Sequence, residues 1–210
     1  EVPALLELAS ARCRRSVLPL QRGRWRGRHE GGVALTGSRR IAAFAGVAAC
    51  AVALDQVSKA WAREALAGGP VPFIPGVLDF SLVMNTGAAF SIGSGSTWVF
   101  VVLAVAICLG LAIWVARERE MPVSLVCALG AVAGGGVGNL IDRVAAGRVT
   151  DFFCTTFIDF PVFNVADIFV TCGVVIAFAL VWRWDVAREA GDDSGAANAA
   201  SNAENTREEN

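Results

Sequence analysis

Ile41–Ala62 reads IAAFAGVAACAVALDQVSKAWA. Residues 41–54 carry no charge at all, and then Asp55 and Lys59 arrive four apart near the end of the run. About 20 mostly apolar residues are enough for a helix to cross a bilayer. The stretch therefore reads as a membrane span with an acid and a base on one helix face at one end. Lys59 is the only lysine in a chain that otherwise uses 17 arginines, which suggests a need for a compact ammonium there.

Three more runs of this length follow, at about 98–116, 122–141 and 164–182, after the first at 41–62. The composition agrees: 55% of the 210 residues are hydrophobic, above the roughly 45–50% usual for soluble domains. Arg117–Pro122 is a tight turn between the second and third spans. The segment 63–97, with Gly68, Gly69, Pro70, Pro72, Pro75 and Gly76 as breakers, has room for short strands over Val77–Met84. Val144–Phe163 is rich in Phe and partly amphipathic. The expected fold class is an all-α membrane protein: a four-transmembrane-helix bundle with a small extracytoplasmic β-platform, around Gly76–Ser91, and an amphipathic outer loop.

Cationic residues orient the bundle. Arg39 and Arg40 abut the first span, Arg117 and Arg119 sit in the short turn, and Arg183 and Arg188 follow the fourth. The positive-inside rule places these, and both termini, in the cytoplasm. Arg143 and Arg148 fall on the other side and invite a functional explanation. Residues 1–38 are Arg-rich and irregular, and 185–210 are dominated by Ala, Asn, Ser and Glu; both are expected to be structureless cytoplasmic tails flanking a membrane domain at 39–184. Near-surface Arg could hold the first tail against anionic lipid. The six Cys show no CxxC spacing and read as small buried thiols, and Cys13 is only a chance likeness to a lipidation box.

Carboxylates in apolar segments are functional candidates, because each costs several kcal/mol unless paired. Asp55, Lys59, Asn85, Asn139, Arg143, Asp151, Asn164 and Asp167 all fall at the outer ends of spans or in outer loops under this topology. Taken singly, each has a plain alternative. Asp55 and Lys59 could be a mutual ion pair, Asp151 a solvated loop acid, and Asp167 a first-turn acid with Asn164 as N-cap. Gly134, Gly135, Gly136 and Gly138 most simply allow close helix packing. The one-sided convergence of the polar residues points instead to a site at the outer interface.

The residue inventory narrows its chemistry. The single His, His29, lies in the Arg-rich tail, so an H-E-x-x-H zinc site and Ser–His or Cys–His pairs are excluded. Gly93-Ser94-Gly95-Ser96 then reads as a flexible loop rather than a nucleophile site. No Tyr occurs, which removes a Tyr-Asp element. A pair of aspartates remains. Two close carboxyl groups do not both ionise easily, so one keeps a proton while the other acts as base on water. A proton-coupled carrier would need polar residues through the midplane, where the second and fourth spans are almost wholly apolar. A non-catalytic assembly factor held by Asp–Lys and Asp–Arg pairs is the other alternative.

Asp55-Gln56-Val57-Ser58-Lys59, Asn85-Thr86-Gly87-Ala88-Ala89-Phe90, Gly138-Asn139-Leu140-Ile141-Asp142-Arg143, Val149-Thr150-Asp151-Phe152 and Phe163-Asn164-Val165-Ala166-Asp167 resemble the successive signature blocks of lipoprotein signal peptidase (signal peptidase II), in the family's order. The resemblance implies an aspartic endopeptidase of the bacterial cytoplasmic membrane. Its substrates would be diacylglyceryl-modified prolipoproteins, cut on the amino-terminal side of the lipidated Cys. Asp151 and Asp167 match the catalytic dyad. Asn139, Arg143 and Asn164 match residues that orient the dyad and bind substrate, with Asp55 and Lys59 supporting from the first span and Asn85 from the first outer loop. No metal or other cofactor is expected, and no partner beyond substrate and membrane lipid: no nucleic acid and no obligate protein.

Overall fold

The computed structural model describes residues 37–87 and 97–208, with side chains as far as Val186. The expectations for most of the first tail, with His29 and Cys13, and for the Gly93–Ser96 loop lie outside the described residues. Seven elements follow in order: α1 (Gly37–Ala65), β1 (Val71–Ile74), β2 (Leu78–Asn85), α2 (Thr97–Arg117), α3 (Val123–Ala146), β3 (Val149–Thr155) and α4 (Val165–Glu208). Each of the four helices contains a stretch long and apolar enough to cross a membrane, so the expected spans are present with slightly wider limits.

The third helix is the centre of the bundle. Half of its span is buried inside the protein, against 11–17% for the other three. Those three turn large apolar side chains outward: Trp98, Val102 and Leu103 on α2 and Val175 and Phe178 on α4 are all more than half exposed. Such a surface is compatible with hydrocarbon and not with water. Lipid supplies no hydrophobic drive between helices, so close packing must hold them. Here the glycines act. A Cβ at Gly134 would lie 2.6 Å from the Ala48 carbonyl oxygen on α1, and one at Gly135 2.5 Å from that of Ala166 on α4. Both obstacles are backbone and cannot swing aside. At Gly136 the neighbour is only the Cys108 Sγ, 3.3 Å away.

Gly134→Ala and Gly135→Ala are accordingly expected to destabilise the fold by about 1–3 kcal/mol through overpacking. Gly136→Ala should unfold close to the parent in detergent. Equal midpoints for all three variants would remove the packing argument.

The β-platform is a three-stranded antiparallel sheet of order β1-β2-β3. Its hairpin turn is Ile74-Pro75-Gly76-Val77, closed by the Val77 N–H donating to the Ile74 carbonyl at 2.9 Å. Gly76 has φ 74°, and Pro followed by a positive-φ Gly at the two central positions is the signature of a type II turn. Strand β2 pairs with β3 from Leu78↔Thr155 to Asn85↔Val149, with an irregularity between Phe80 and Val83. Asp151 stands opposite Val83 in this ladder.

Three expectations need correction. The Phe-rich segment 144–163 is not simply an amphipathic loop, because β3 lies within it. Phe152 is buried under the sheet with Ala62 and Leu66, while Phe157 and Phe160 remain exposed. The last helix also continues to Glu208 where an irregular tail was expected. An Ala-rich sequence extending an existing helix needs no new nucleus, so modest propensity suffices. The described cysteines form no disulfide, and none is fully buried; Cys50 and Cys172 are exposed.

Candidate active site

The eight polar residues singled out in the sequence meet at the end of the bundle that carries the sheet, and the network begins with Lys59. Its side chain is wholly enclosed, with Nζ 2.8 Å from Asp55 Oδ2 and 3.3 Å from Asp142 Oδ2. The third donation goes to Asn139 Oδ1 at 2.8 Å. An ammonium has three donors and no acceptor, so its capacity is used completely. Asp55 Oδ1 accepts the Ala166 N–H at 2.9 Å, in the first turn of α4. The positive end of a helix favours a carboxylate there. Asp142 Oδ2 accepts the Thr150 N–H at 3.0 Å, tying α3 to β3. Gln56 Nε2 lies within 3.1–3.2 Å of Asp55, Asp142 and the Gly138 carbonyl, sharing its two hydrogens among them. A Cβ at Gly138 would come 2.5 Å from Asp55 Oδ2, so that glycine makes room for the cluster.

Because Lys59 only donates, Asn139 must turn its oxygen towards it. Its Nδ2 then donates to Asp167 Oδ1 at 2.8 Å. Asn164 works between the two aspartates. Its Nδ2 reaches Asp151 Oδ1 at 2.6 Å and Asn139 Oδ1 at 3.1 Å. Its Oδ1 accepts the Asp167 N–H at 3.0 Å, and its own N–H donates to Asp167 Oδ2 at 3.1 Å. This reciprocal pair is a capping box built from Asn and Asp. Asp167 is thus a helix-capping acid and a member of the polar cluster at once. Asn85 Nδ2 donates to Asp151 Oδ2 at 3.0 Å, while its Oδ1 accepts the Gly87 N–H at 2.9 Å.

Burial is the main cause that lifts the Asp151 carboxyl from the ordinary 3.8 to about 6. The neighbouring Asp167 charge raises it further, and the donations from Asn85 and Asn164 and the charge of Lys59 oppose the rise. A carboxyl in this range can hold or release a proton near neutrality.

Both aspartates face a cavity of about 450 Å³ that Asn85, Asn139 and Arg143 also line. Apolar walls with a few convergent polar groups are the usual form of a binding site; here Phe160, Val162, Phe163 and Ile168 supply the apolar part. Arg143 donates to the Gly87 carbonyl at 3.1 Å, and its guanidinium lies 5.4 Å from the Phe100 ring centre. It makes no ion pair among the described residues. No group of three or more His, Cys, Asp or Glu among the described residues could hold a metal ion.

Asp142 and Gln56 belong to the network as fully as Asp55 does, yet sequence reasoning did not place them in the site. A signal existed for Asp142: an acid within a span, three residues from Asn139 and so on its helix face. Gln56 gave none, since an uncharged amide near a helix end needs no partner.

The fold is that of an integral membrane protein with two acids facing one cavity at the end that carries the sheet. The model of the family described as signal peptidase (SPase) II matches residues 47–183. Lipoprotein signal peptidases of Streptococcus pyogenes serotype M1 and of serotype M5 (strain Manfredo) are each 41% identical over 134 residues, 63% of this chain and 88% of theirs. Two solved structures described as a bacterial membrane enzyme, at 2.3 and 1.9 Å resolution, are each 29% identical. They cover 74% and 73% of this chain and 93% and 97% of their own, with TM-scores of 0.63 and 0.61. The chain belongs to the signal peptidase II family, a family of membrane proteases that process lipoproteins.

Proposed function

We propose that the chain is an aspartic endopeptidase that removes the signal peptide from diacylglyceryl-modified prolipoproteins, cutting on the amino-terminal side of the lipidated Cys. The observation that carries the reading is that one residue, Asn164, bonds both Asp151 and Asp167, and both acids face the same cavity. In the reaction one carboxylate takes a proton from water as that water attacks the scissile carbonyl. The other carboxyl, protonated, donates to the carbonyl oxygen. The proton then passes to the leaving amine as the C–N bond breaks. Asn139 and Asn164 hold the acids in place, Asp55, Lys59 and Asn85 support them, and Arg143 offers free N–H donors to substrate carbonyls.

A lipid-modified peptide must reach the dyad while its acyl chains stay in the bilayer. The cavity runs along α4 past Ile168, Thr171 and Cys172, and Ile168 and Cys172 are exposed on the lipid-facing side of the span. That path supports lateral entry. Family membership supports a bacterial cell membrane location, and the distribution of Arg supports cytoplasmic termini with the dyad at the outer face. On this reading the protease domain is 39–184, with the segments on either side outside the catalytic unit.

The test is incubation of the purified chain with a diacylglyceryl-modified precursor peptide and with the same peptide unmodified. Cleavage of the first alone, leaving the lipidated Cys as the new amino terminus by mass spectrometry, is the expected result. Equal cleavage of both, or none of either, would overturn it.

A further inference from the structure

Segment 160–163, which leads into α4, lines the cavity that the two aspartates also line. Its last residue is tied to β3 as a strand would be. The Phe163 N–H donates to the Phe153 carbonyl at 3.1 Å, and the Phe163 carbonyl accepts the Phe153 N–H at 2.8 Å. In an extended chain the main-chain groups of successive residues point to opposite edges. An extended run from Phe163 back to Phe160 would turn the N–H and C=O of Val162 to the other edge, with those of Phe160 on that same edge. Pro161, which has no N–H, would then take the intervening position facing β3, where its missing donor takes nothing from the open side. Neither Phe160 nor Val162 makes a main-chain hydrogen bond among the described residues. Both line the cavity together with Asp151 and Asp167.

We propose that the unpaired main chain of Phe160 and Val162 binds the substrate peptide as an added strand, laying its backbone alongside segment 160–163 and its scissile bond across Asp151 and Asp167. The proposal rests on the protease reading above and names how that site holds its peptide. Strand addition takes affinity from main-chain bonds and leaves side chains free to differ. Those main-chain groups are the feature that precursors of different sequence share. The sheet would then continue from β1, β2 and β3 through segment 160–163 to the substrate. A strand bonds its neighbour through every second residue. One substrate residue therefore exchanges bonds with Val162 and the residue two positions away with Phe160, while the residue between them bonds neither.

The test is a walk of single backbone-ester replacements along a diacylglyceryl-modified precursor peptide, on both sides of the cleaved bond. Each ester removes one N–H and leaves the side chain in place. Loss of one such bond is expected to raise KM about threefold to tenfold, with kcat nearly unchanged. The effect should fall on alternate residues and spare those between. A Val162→Pro variant, which removes the enzyme's own N–H, should raise KM for the all-amide lipidated peptide by a similar factor; if that variant does not fold, the ester walk with the parent decides alone. Cleavage with a flat ester profile, or with sensitivity at consecutive residues, overturns strand addition and leaves the protease reading intact. Failure of the parent to cut the all-amide lipidated peptide overturns both.

Discussion

Asp151→Asn and Asp167→Asn are each expected to lower the cleavage rate of a diacylated precursor by about a thousandfold or more, while the protein still inserts. General acid–base groups commonly contribute about 10²–10⁴-fold, and an amide can neither take a proton from water nor supply one. Each aspartate also accepts from two donors, Asp151 from Asn85 and Asn164 and Asp167 from Asn139 and the Asn164 N–H. An Asn offers one acceptor where two are needed, so some local stability is lost in both variants. For Asp151→Asn the difference from the parent also depends on pH. The Asp151 carboxyl is raised from 3.8 to about 6 in the folded protein. A raised group contributes stability that is fully present below the unfolded value and is lost as pH rises through the folded one. Between pH 4 and 8 the parent should thus lose up to about 3 kcal/mol that the Asp151→Asn variant does not. The midpoint of Asp151→Asn relative to the parent should climb over that interval. Retained cleavage by both variants would end the dyad assignment; a flat midpoint difference would end the account of the Asp151 environment.

Lys59→Met should be the most damaging single change to the fold. Removing one partner from a buried ionic cluster typically costs about 3–5 kcal/mol, because the opposite charge is left uncompensated. Here two carboxylates are left, Asp55 and Asp142, together with an Asn139 oxygen that loses one of its two donors. Asn139 is then oriented by the Asn164 amide alone, so the donor that faces Asp167 is held less firmly. The expected outcome is a sharp fall in thermal midpoint in detergent and loss of cleavage. Adding Asp142→Asn to Lys59→Met should recover part of the midpoint. Lys59→Arg should not substitute for the parent, since a wholly enclosed ammonium leaves no room for a planar guanidinium. A Lys59→Met protein as stable as the parent would show that the cluster does not hold the bundle together.

The lone lysine illustrates what could be read before the structure was known. The spans, and the gathering of Asp55, Lys59, Asn139, Asp151 and Asp167 at one end, were legible because the bilayer penalises polar groups so heavily that each must have a reason. The glycines of α3 were legible as packing residues on the same ground. Strand β3 was not. Val149–Thr155 has no hairpin partner nearby, and its pairing with β2 joins residues about 70 positions apart in the chain, which local pattern cannot register. The role of Gln56 was hidden likewise, since it exists only once α1 and α3 have come together. The onward run of α4 depended on propagation from a helix already formed, which composition alone did not reveal. The recognition edge at Phe160 and Val162 is a main-chain feature, and side-chain identity says nothing about it.

The position of the two acids in the chain has a consequence for biogenesis. Asp151 lies in the last loop before the final crossing and Asp167 in the first turn of that crossing. Their common clasp, Asn164, stands between them. A chain with only its first three crossings made would therefore lack half of the proposed dyad. On the proposed dyad, the two acids would come together only as the fourth helix docks on the glycine-lined face of the third.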